Sequence, residues 1–287
     1  IDHSSSEIST EDAAVLLEAV RKELENDIYK FYVGTSYRHL TIWDKGEVVD
    51  LTPPHDVLGQ KIGQYLPKDD KLREMMKKSY DILSNHPINV ERMKRGLNPA
   101  NSLWFWGAGT RPMLTSFEEK TGHKGAMISA VDLLKGIAVG AGMKVIEVEG
   151  ANGGLDTNYE GKADAAVDVL LNGGCDFAYI HLEAPDEMGH QGSYERKVKA
   201  IENLDKRIIK RVVEKMEAAG EDFRMLVLPD HPTPVAIRTH VSDPVPYMLY
   251  DSTDKKNNTW SYNEKDGEAS GNYIAEGHTI INRLFEK

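Results

Sequence analysis

The chain has 287 residues, of which 40% are hydrophobic and 28% are charged, and its formal net charge is −11. This length accommodates about two domains, and no apolar run approaches the ~20 residues of a membrane helix. The acidic excess argues against nucleic acid or an anionic membrane as the main partner, but it leaves a small anionic substrate open.

The first part of the chain mixes helical and strand patterns. A helix with an acidic first turn is predicted after Ser9, a strand over 31–43, and a hairpin partner for that strand over 47–51. Two amphipathic helices follow at 69–84 and 89–95, and another strand at 103–106. We assign 1–18 as a leading segment and 19–115 as a small α+β domain.

From residue 116 strands alternate with helices, which predicts βαβ units and an α/β domain with a mostly parallel sheet. The predicted strands cover 126–129, 144–148, 176–182 and 223–228, and the predicted helices cover 131–141, 161–171 and 193–219. A polar loop at 251–271 and a final helix at 274–285 complete the domain. The single cysteine, Cys175, excludes an internal disulfide and is typical of a reducing compartment, so we expect a cytoplasmic protein.

Carboxylates and imidazoles follow two of these strands. Asp186 and His190 are four residues apart, so a helical turn would place them on one face. Asp230 and His231 follow the strand at 223–228, and His240 stands just before a proline-rich stretch that fixes the backbone. Ligands of open α/β sheets bind at the carboxyl ends of the strands.

Each motif alone is explained equally well by exposed loop residues. Together, two Asp and three His after consecutive core strands favour a metal site. Nitrogen and oxygen ligands without a thiolate suit Mn²⁺, Zn²⁺ or Mg²⁺. Two ions roughly 3.5–4 Å apart are a common device for phosphoryl transfer. We therefore predict a two-metal site that acts on a phosphate ester.

Cations that could bind such a substrate stand elsewhere in the chain: Arg38 beside His39, Arg111 after an aromatic-rich segment, and Lys124 before the strand at 126. An exposed surface position is the default for each. An Arg held among aromatic rings is nevertheless a good clamp for phosphate or carboxylate. The glycine-rich segment 150–154 lacks the pattern of a P-loop or a dinucleotide fingerprint, so we interpret it as a tight turn beside the site.

Taken together, these motifs resemble the archaeal-type, cofactor-independent phosphoglycerate mutases of the alkaline phosphatase superfamily. The resemblance covers nearly the whole chain. It is carried by residues 32–39, 52–56, 104–107 and 150–162 and by the motifs Asp186-x-x-x-His190-Gln191-Gly192, Asp230-His231-Pro232-Thr233-Pro234 and His240-x-x-Asp243-Pro244-Val245-Pro246.

The resemblance implies an alkaline-phosphatase-like sheet sandwiched by helices, with 19–115 as an inserted cap and 116–287 as the metal-binding domain. Asp186, His190 and His240 would hold one divalent ion, and Asp230 and His231 would help to hold a second. Mn²⁺ is the expected ion, with Zn²⁺ or Mg²⁺ as alternatives.

It also implies a reaction, the interconversion of 2- and 3-phosphoglycerate in glycolysis. In the family, a serine takes the phosphate from one hydroxyl of the substrate and returns it to the neighbouring hydroxyl. The cap would bring Arg38, His39 and Arg111 to the substrate, with Lys124 as a further cation.

Two features depart from the family pattern. Residues 1–28 match neither the early Asp ligand nor the serine nucleophile, so we expect a further N-terminal part in the full protein and no activity from this chain alone. Pro232 stands where mutases more often have Ser, a variant of a subgroup proposed to act as homoserine kinases. A homoserine kinase-like phosphotransferase and an inactive metal-binding fragment are therefore the alternatives.

Overall fold

The computed structural model describes residues 2–57, 59–254 and 259–286. The chain forms two compact units, Ile1–Arg111 and Pro112–Lys287. The predicted boundary at residue 115 lies close to this division, and the role of the first unit as an inserted cap stays a prediction. Within the described ranges, no helix is both long enough and apolar enough to cross a membrane.

The core of the first unit lies between two helices and a hairpin. Helix α1 (Thr10–Leu24) begins at Ser9, whose hydroxyl accepts a hydrogen bond from the N–H of Asp12, as the sequence predicts. Its apolar face packs against α2 (Asp70–Leu83) and strand β1 (Tyr29–Tyr32). Helix α3 (Pro87–Lys94) follows α2 after a short turn.

The hairpin of this unit forms earlier in the chain than predicted. A single strand was expected over 31–43, but β1 pairs antiparallel with β2 (Leu40–Trp43), and residues 33–39 form the turn. Gly34 lies in that turn, and a Cβ there would collide with the carbonyl oxygen of Arg38.

Two further strand predictions in this unit are wrong, because residues 47–51 and 103–106 are irregular. Their apolar side chains still pack against the core at Val49, Leu51, Leu103 and Phe105. The alternation of apolar residues therefore indicates burial. Among the residues that the structure describes, no backbone segment pairs with 47–51 or 103–106 as a strand. In the matching segment 52–56, the side chain of His55 lies outside the described part.

The second unit is built on a parallel sheet, as predicted. Strand β3 (Gly125–Ile128) is buried along its whole length and pairs in parallel with β4 (Lys144–Val145) and β5 (Phe177–Ile180). Helix α4 (Phe117–Thr121) precedes β3, α5 (Asp132–Gly140) joins β3 to β4, and α6 (Tyr159–Leu171) joins β4 to β5. The α/β class is therefore confirmed.

Strand β6 (Arg224–Val227) departs from the predicted parallel arrangement. Among the described residues it pairs antiparallel with β7 (Met248–Asp251), a strand that was not predicted. In the predicted polar loop, helix α10 (Glu264–Ala269) forms, and residues 255–258 lie outside the described ranges. The predicted final helix shortens to α11 (Asn282–Phe285).

A helical layer supports both groups of strands. The predicted helix 193–219 consists of α8 (Tyr194–Asn203), a π-helical segment (Leu204–Ile209) and α9 (Lys210–Ala219). Side chains of β5, β6 and their flanks pack on one cluster from α6 and α9, namely Ile180, Leu182, Phe223 and Met225. Strands β5 and β6 therefore rest on the same helices.

Candidate metal centre

Helix α7 (Ala184–His190) carries two of the predicted ligands. It follows β5 after three residues and has Pro185 in its first turn, where a missing N–H leaves no helical hydrogen bond unmade. Asp186 and His190 share one face, with Nε2 of His190 3.3 Å from Oδ2 of Asp186. The spacing of four residues produces this pair, as predicted.

His240, in the loop that follows β6, completes a group of three. Its Nε2 lies 3.2 Å from Oδ1 of Asp186 and 3.1 Å from Nε2 of His190. The donor atoms of all three residues lie within 4.8 Å of one another. Donors that share one ion at ~2.1 Å are themselves about 3.0–3.4 Å apart. The three side chains therefore fit a single divalent ion of the type that binds nitrogen and oxygen ligands.

Neighbouring groups orient these ligands. Nδ1 of His190 lies 3.0 Å from the carbonyl oxygen of Arg238, so the tautomer that donates to this carbonyl leaves Nε2 free for an ion. The hydroxyl of Thr233 donates to Oδ1 of Asp186. Lys197 holds the loop in turn, since its Nζ donates to the carbonyl oxygen of Thr233 at 2.6 Å. Thr233 and Lys197 were missed in the sequence because hydroxyl and ammonium groups in these positions match no metal pattern.

Gly189 lets the loop approach α7. A Cβ at this position would lie 2.5 Å from the carbonyl oxygen of Thr233, which is closer than such atoms pack. Thr233 itself is buried. This close approach of the backbone at Gly189 brings the loop after β6 against the face of α7.

Asp230 and His231 lie beside the three-residue group. Their side chains turn towards each other, with Oδ2 of Asp230 3.3 Å from Nε2 of His231. The His231 ring packs on the His240 ring with centroids 3.7 Å apart, and its Nδ1 is 4.0 Å from Oδ1 of Asp186. All five predicted ligands therefore share one region.

Further titratable groups lie at the carboxyl end of β5. Burial lowers the pKa of His181, while the carboxylates of Asp230 and Asp186 oppose this shift. Burial raises the pKa of Glu183, and the charge of Lys162 opposes it. These residues were not predicted from the sequence. Their one signal is their place directly after a strand, at the carboxyl end of the sheet, where ligands are expected to bind.

The predicted substrate-binding residues Arg38, His39 and Arg111 belong to the first unit. The guanidinium of Arg38 lies 4.4 Å from the centroid of the Tyr37 ring, in the turn between β1 and β2 rather than on a strand. The N–H of Gly34 donates to Nδ1 of His39 at 3.2 Å, and burial lowers the pKa of His39. Because Nδ1 accepts this hydrogen bond, it carries no proton, and the neutral ring presents Nε2–H as a donor. Arg111 is exposed.

The structure does not bring Lys124 to the metal ligands. Lys124 is exposed and precedes β3, and its carbonyl accepts hydrogen bonds from the N–H groups of Asp176 and Phe177 at the start of β5. Because β3 and β5 are parallel, Lys124 lies at the amino end of the sheet, whereas α7 follows the carboxyl end. We therefore leave Lys124 out of the proposed site.

Comparison with known proteins identifies the family. A model of the metalloenzyme superfamily matches residues 34–278. The 2,3-bisphosphoglycerate-independent phosphoglycerate mutase of Methanosarcina barkeri is 51% identical over 259 residues, which cover 88% of this chain and 64% of the relative. A protein of Geobacter sulfurreducens named as a probable enzyme of the same kind is 42% identical and is covered over 72% of its length by the whole of this chain. The chain belongs to this family of metalloenzymes.

Solved structures share the fold of this chain. A protein from Pyrococcus horikoshii has 26% sequence identity and a TM-score of 0.74, with 94% of this chain and 66% of that chain covered. The cofactor-independent phosphoglycerate mutase from Thermoplasma acidophilum, with 24% identity, a TM-score of 0.60 and coverage of 95% and 69%, has the same fold. The alkaline-phosphatase-like fold implied by the sequence is therefore confirmed.

Membership of a metalloenzyme superfamily and the group of Asp186, His190 and His240 together indicate the use of a divalent metal ion. The chain spans 64% of the length of the three Methanosarcina relatives that it matches. The number and identity of the ions, and the activity of the whole protein, are therefore treated as proposals.

Proposed function

We propose that the chain is the metal-binding portion of a 2,3-bisphosphoglycerate-independent phosphoglycerate mutase, an isomerase that interconverts 2- and 3-phosphoglycerate in the cytoplasm. The observation that carries this proposal is the convergence of Asp186, His190 and His240 in a chain that is 51% identical to an enzyme of that name. The small phosphorylated substrate follows from the same relatives.

In this proposal Asp186, His190 and His240 hold one divalent ion, and Asp230 and His231 help to hold a second, with Mn²⁺ the expected species. When bound, the ions supply positive charge that stabilises the phosphoryl oxygens and an attacking alkoxide. The carbonyl of Arg238 favours the His190 tautomer that is protonated on Nδ1, and this tautomer leaves Nε2 able to bind an ion.

Arg38, His39 and Arg111 are proposed to bind the anionic groups of phosphoglycerate. The Tyr37 ring supports the Arg38 guanidinium, which can then form paired hydrogen bonds to a carboxylate or phosphate. Neutral His39 adds a single N–H donor without adding charge. The serine that carries the phosphate in this family has no counterpart among the residues assigned here, so we expect residues 1–287 alone to be inactive.

The test is an assay of the full-length protein and of residues 1–287 side by side, with 2-phosphoglycerate and Mn²⁺. We expect the full-length protein to form 3-phosphoglycerate, a chelator to abolish the reaction, and the shorter chain to bind Mn²⁺ without turnover. ATP with homoserine is the competing substrate pair, because Pro232 resembles the variant of the subgroup proposed to act as homoserine kinases. Phosphorylation of homoserine with no reaction of phosphoglycerate would overturn the mutase proposal.

A further inference from the structure

The glycine-rich turn at 150–154 and the buried residues around it have no role in the function proposed so far. We propose that Lys162, Glu183 and Gly153 form a support that positions helix α7, and that they thereby set the distance between its metal ligands and His240. This inference rests on the proposed metal site, and it adds residues that contact no ion and no substrate.

Lys162 is the first part of this support. It lies in α6 with none of its surface exposed, which is rare for a lysine because burying an ammonium group is unfavourable. Its Nζ donates to the carbonyl oxygen of His181 at 3.1 Å. His181 directly follows β5, and its own N–H donates to the carbonyl of Ile128 in β3 at 2.9 Å. Lys162 therefore fixes the backbone at the carboxyl end of the sheet.

Glu183 is the second part, and it directly precedes α7. Its Oε1 is buried, has no hydrogen-bond partner among the described residues, and lies 3.8 Å from Nε2 of His181. Its Oε2 lies against Gly153, where an added Cβ would collide with it. The carboxylate is therefore wedged between the imidazole and the glycine-rich turn. Burial of this carboxylate raises the pKa of Glu183, and the positive charge of Lys162 opposes that rise.

The turn that holds Gly153 is itself rigidly attached to α6. The hydroxyl of Thr157, which is buried, accepts a hydrogen bond from the N–H of Asn152 at 3.0 Å. Asn158 caps α6 by accepting from the N–H of Gly161, and its N–H donates to the carbonyl of Gly150. The start of α6 and the turn thus form one hydrogen-bonded network, which contacts the start of α7 through the side chain of Glu183.

This network matters for the metal ligands because they come from two separate elements. Asp186 and His190 move with α7, whereas His240 is held by its own loop, where the N–H of Val241 donates to the carbonyl of Pro232 at 3.2 Å. A small shift of α7 would therefore change the 3.1 Å and 3.2 Å distances to His240 without changing the Asp186–His190 pair. The support therefore controls the distance between the ligands on α7 and His240 in its loop.

Two substitutions test the support by different routes. Lys162→Met keeps the length of the side chain and removes its charge and donor, while Gly153→Ala leaves Lys162 intact and adds one methyl group against Glu183. Lys215→Met is the matched control, because Lys215 pairs with Asp164 on the exposed side of the same helical layer. The measurements are the Mn²⁺ affinity of residues 1–287, by titration against a competing indicator, and the thermal unfolding of the metal-free chain.

We expect Lys162→Met and Gly153→Ala to weaken Mn²⁺ binding by ~10–100-fold, the range for outer residues that orient metal ligands. Lys215→Met should bind Mn²⁺ as the unmodified chain does. Affinity within twofold of the unmodified chain in either folded variant would overturn the support. If the unmodified chain binds no Mn²⁺, or His190→Ala binds it equally well, the metal site itself is wrong, and the inference that rests on it is overturned as well.

Discussion

Helix α7 and the loop after β6 both deliver metal ligands, but they do so by different means. On α7, the helical backbone alone brings Asp186 and His190 together. In the loop, His240 has no regular element to place it, its side chain is 50% exposed, and tertiary contacts hold its surroundings. The pair on α7 is therefore determined locally, whereas the position of His240 depends on how distant segments of the chain pack.

The strongest test of the helical half is His190→Ala. Removing one of three donors should weaken Mn²⁺ binding by more than the ~100-fold upper range seen for outer residues. The fold should persist because the His190 side chain is 37% exposed. His278→Ala, at an exposed position, is the control for loss of an imidazole. Equal Mn²⁺ affinity of the two variants would show that His190 is not a ligand.

His231→Ala distinguishes two ion sites. One is the three-residue group that contains His240, and the other is the proposed second site at Asp230 and His231. His231 contacts His240 and approaches Asp186 only to 4.0 Å, so we expect Mn²⁺ binding to residues 1–287 to weaken by less than the ~10–100-fold of an outer residue that orients a ligand. In the full-length protein the same change should abolish turnover and lower the number of bound ions from two to one. Metal analysis after dialysis measures this ratio, and two ions retained would contradict the second-ion assignment.

Thr233→Val tests whether the loop after β6 orients a ligand on α7. The change keeps the shape of the side chain and removes the hydroxyl that donates to Asp186. We expect Mn²⁺ affinity to fall about 10-fold, since a hydrogen bond to a charged group contributes about 1.5–3 kcal/mol. Thr253→Val removes a comparable bond to Asp251 in a distant turn and should leave Mn²⁺ binding unchanged. Similar Mn²⁺ titration curves for Thr233→Val and Thr253→Val would show that the Thr233 hydroxyl does not orient Asp186.

The smallest effect is expected for Asp164→Asn, on the exposed side of the helical layer. The hydrogen bond from Arg211, followed by that from Lys215, lowers the pKa of Asp164 to about 2. Because the folded-state pKa lies below the ordinary value of 3.8, the stabilisation is present above that pH and disappears as the pH falls towards 2. The pair is 36% and 39% exposed, so the loss should stay below ~1 kcal/mol.

Urea unfolding of the unmodified chain and of Asp164→Asn at pH 6 and at pH 3 measures this contribution. The difference in the free energy of unfolding should be larger at pH 6, and Mn²⁺ affinity at pH 7 should be the same for both proteins. A change in Mn²⁺ affinity would show that the helical layer reaches the ligands more directly than its contacts indicate.

Much of the fold could be predicted because its signals are local. Ser9 and Asp69 cap the helices that follow them, and the alternation of strands and helices after residue 116 identified β3, β4 and β5. Segments 47–51 and 103–106 misled the prediction, since apolar alternation records burial and says nothing about a neighbouring strand. The pairing of β6 with β7 was missed for the same reason, because strand partners are chosen over distances along the chain that no local pattern covers.

The sequence by itself determined the family, the α/β class and the five candidate ligands, because residue type and spacing are properties of short segments. Only the tertiary structure decided that Asp186, His190 and His240 form one compact group. It also decided that Asp230 turns back to His231 and that Lys124 lies at the amino end of the sheet, away from the ligands. It also showed that Lys162 donates to the carbonyl of His181, and that Glu183 contacts Gly153 just before the start of α7. These outcomes depend on the direction of strands and on contacts between segments far apart in the chain, and spacing within one segment does not encode them.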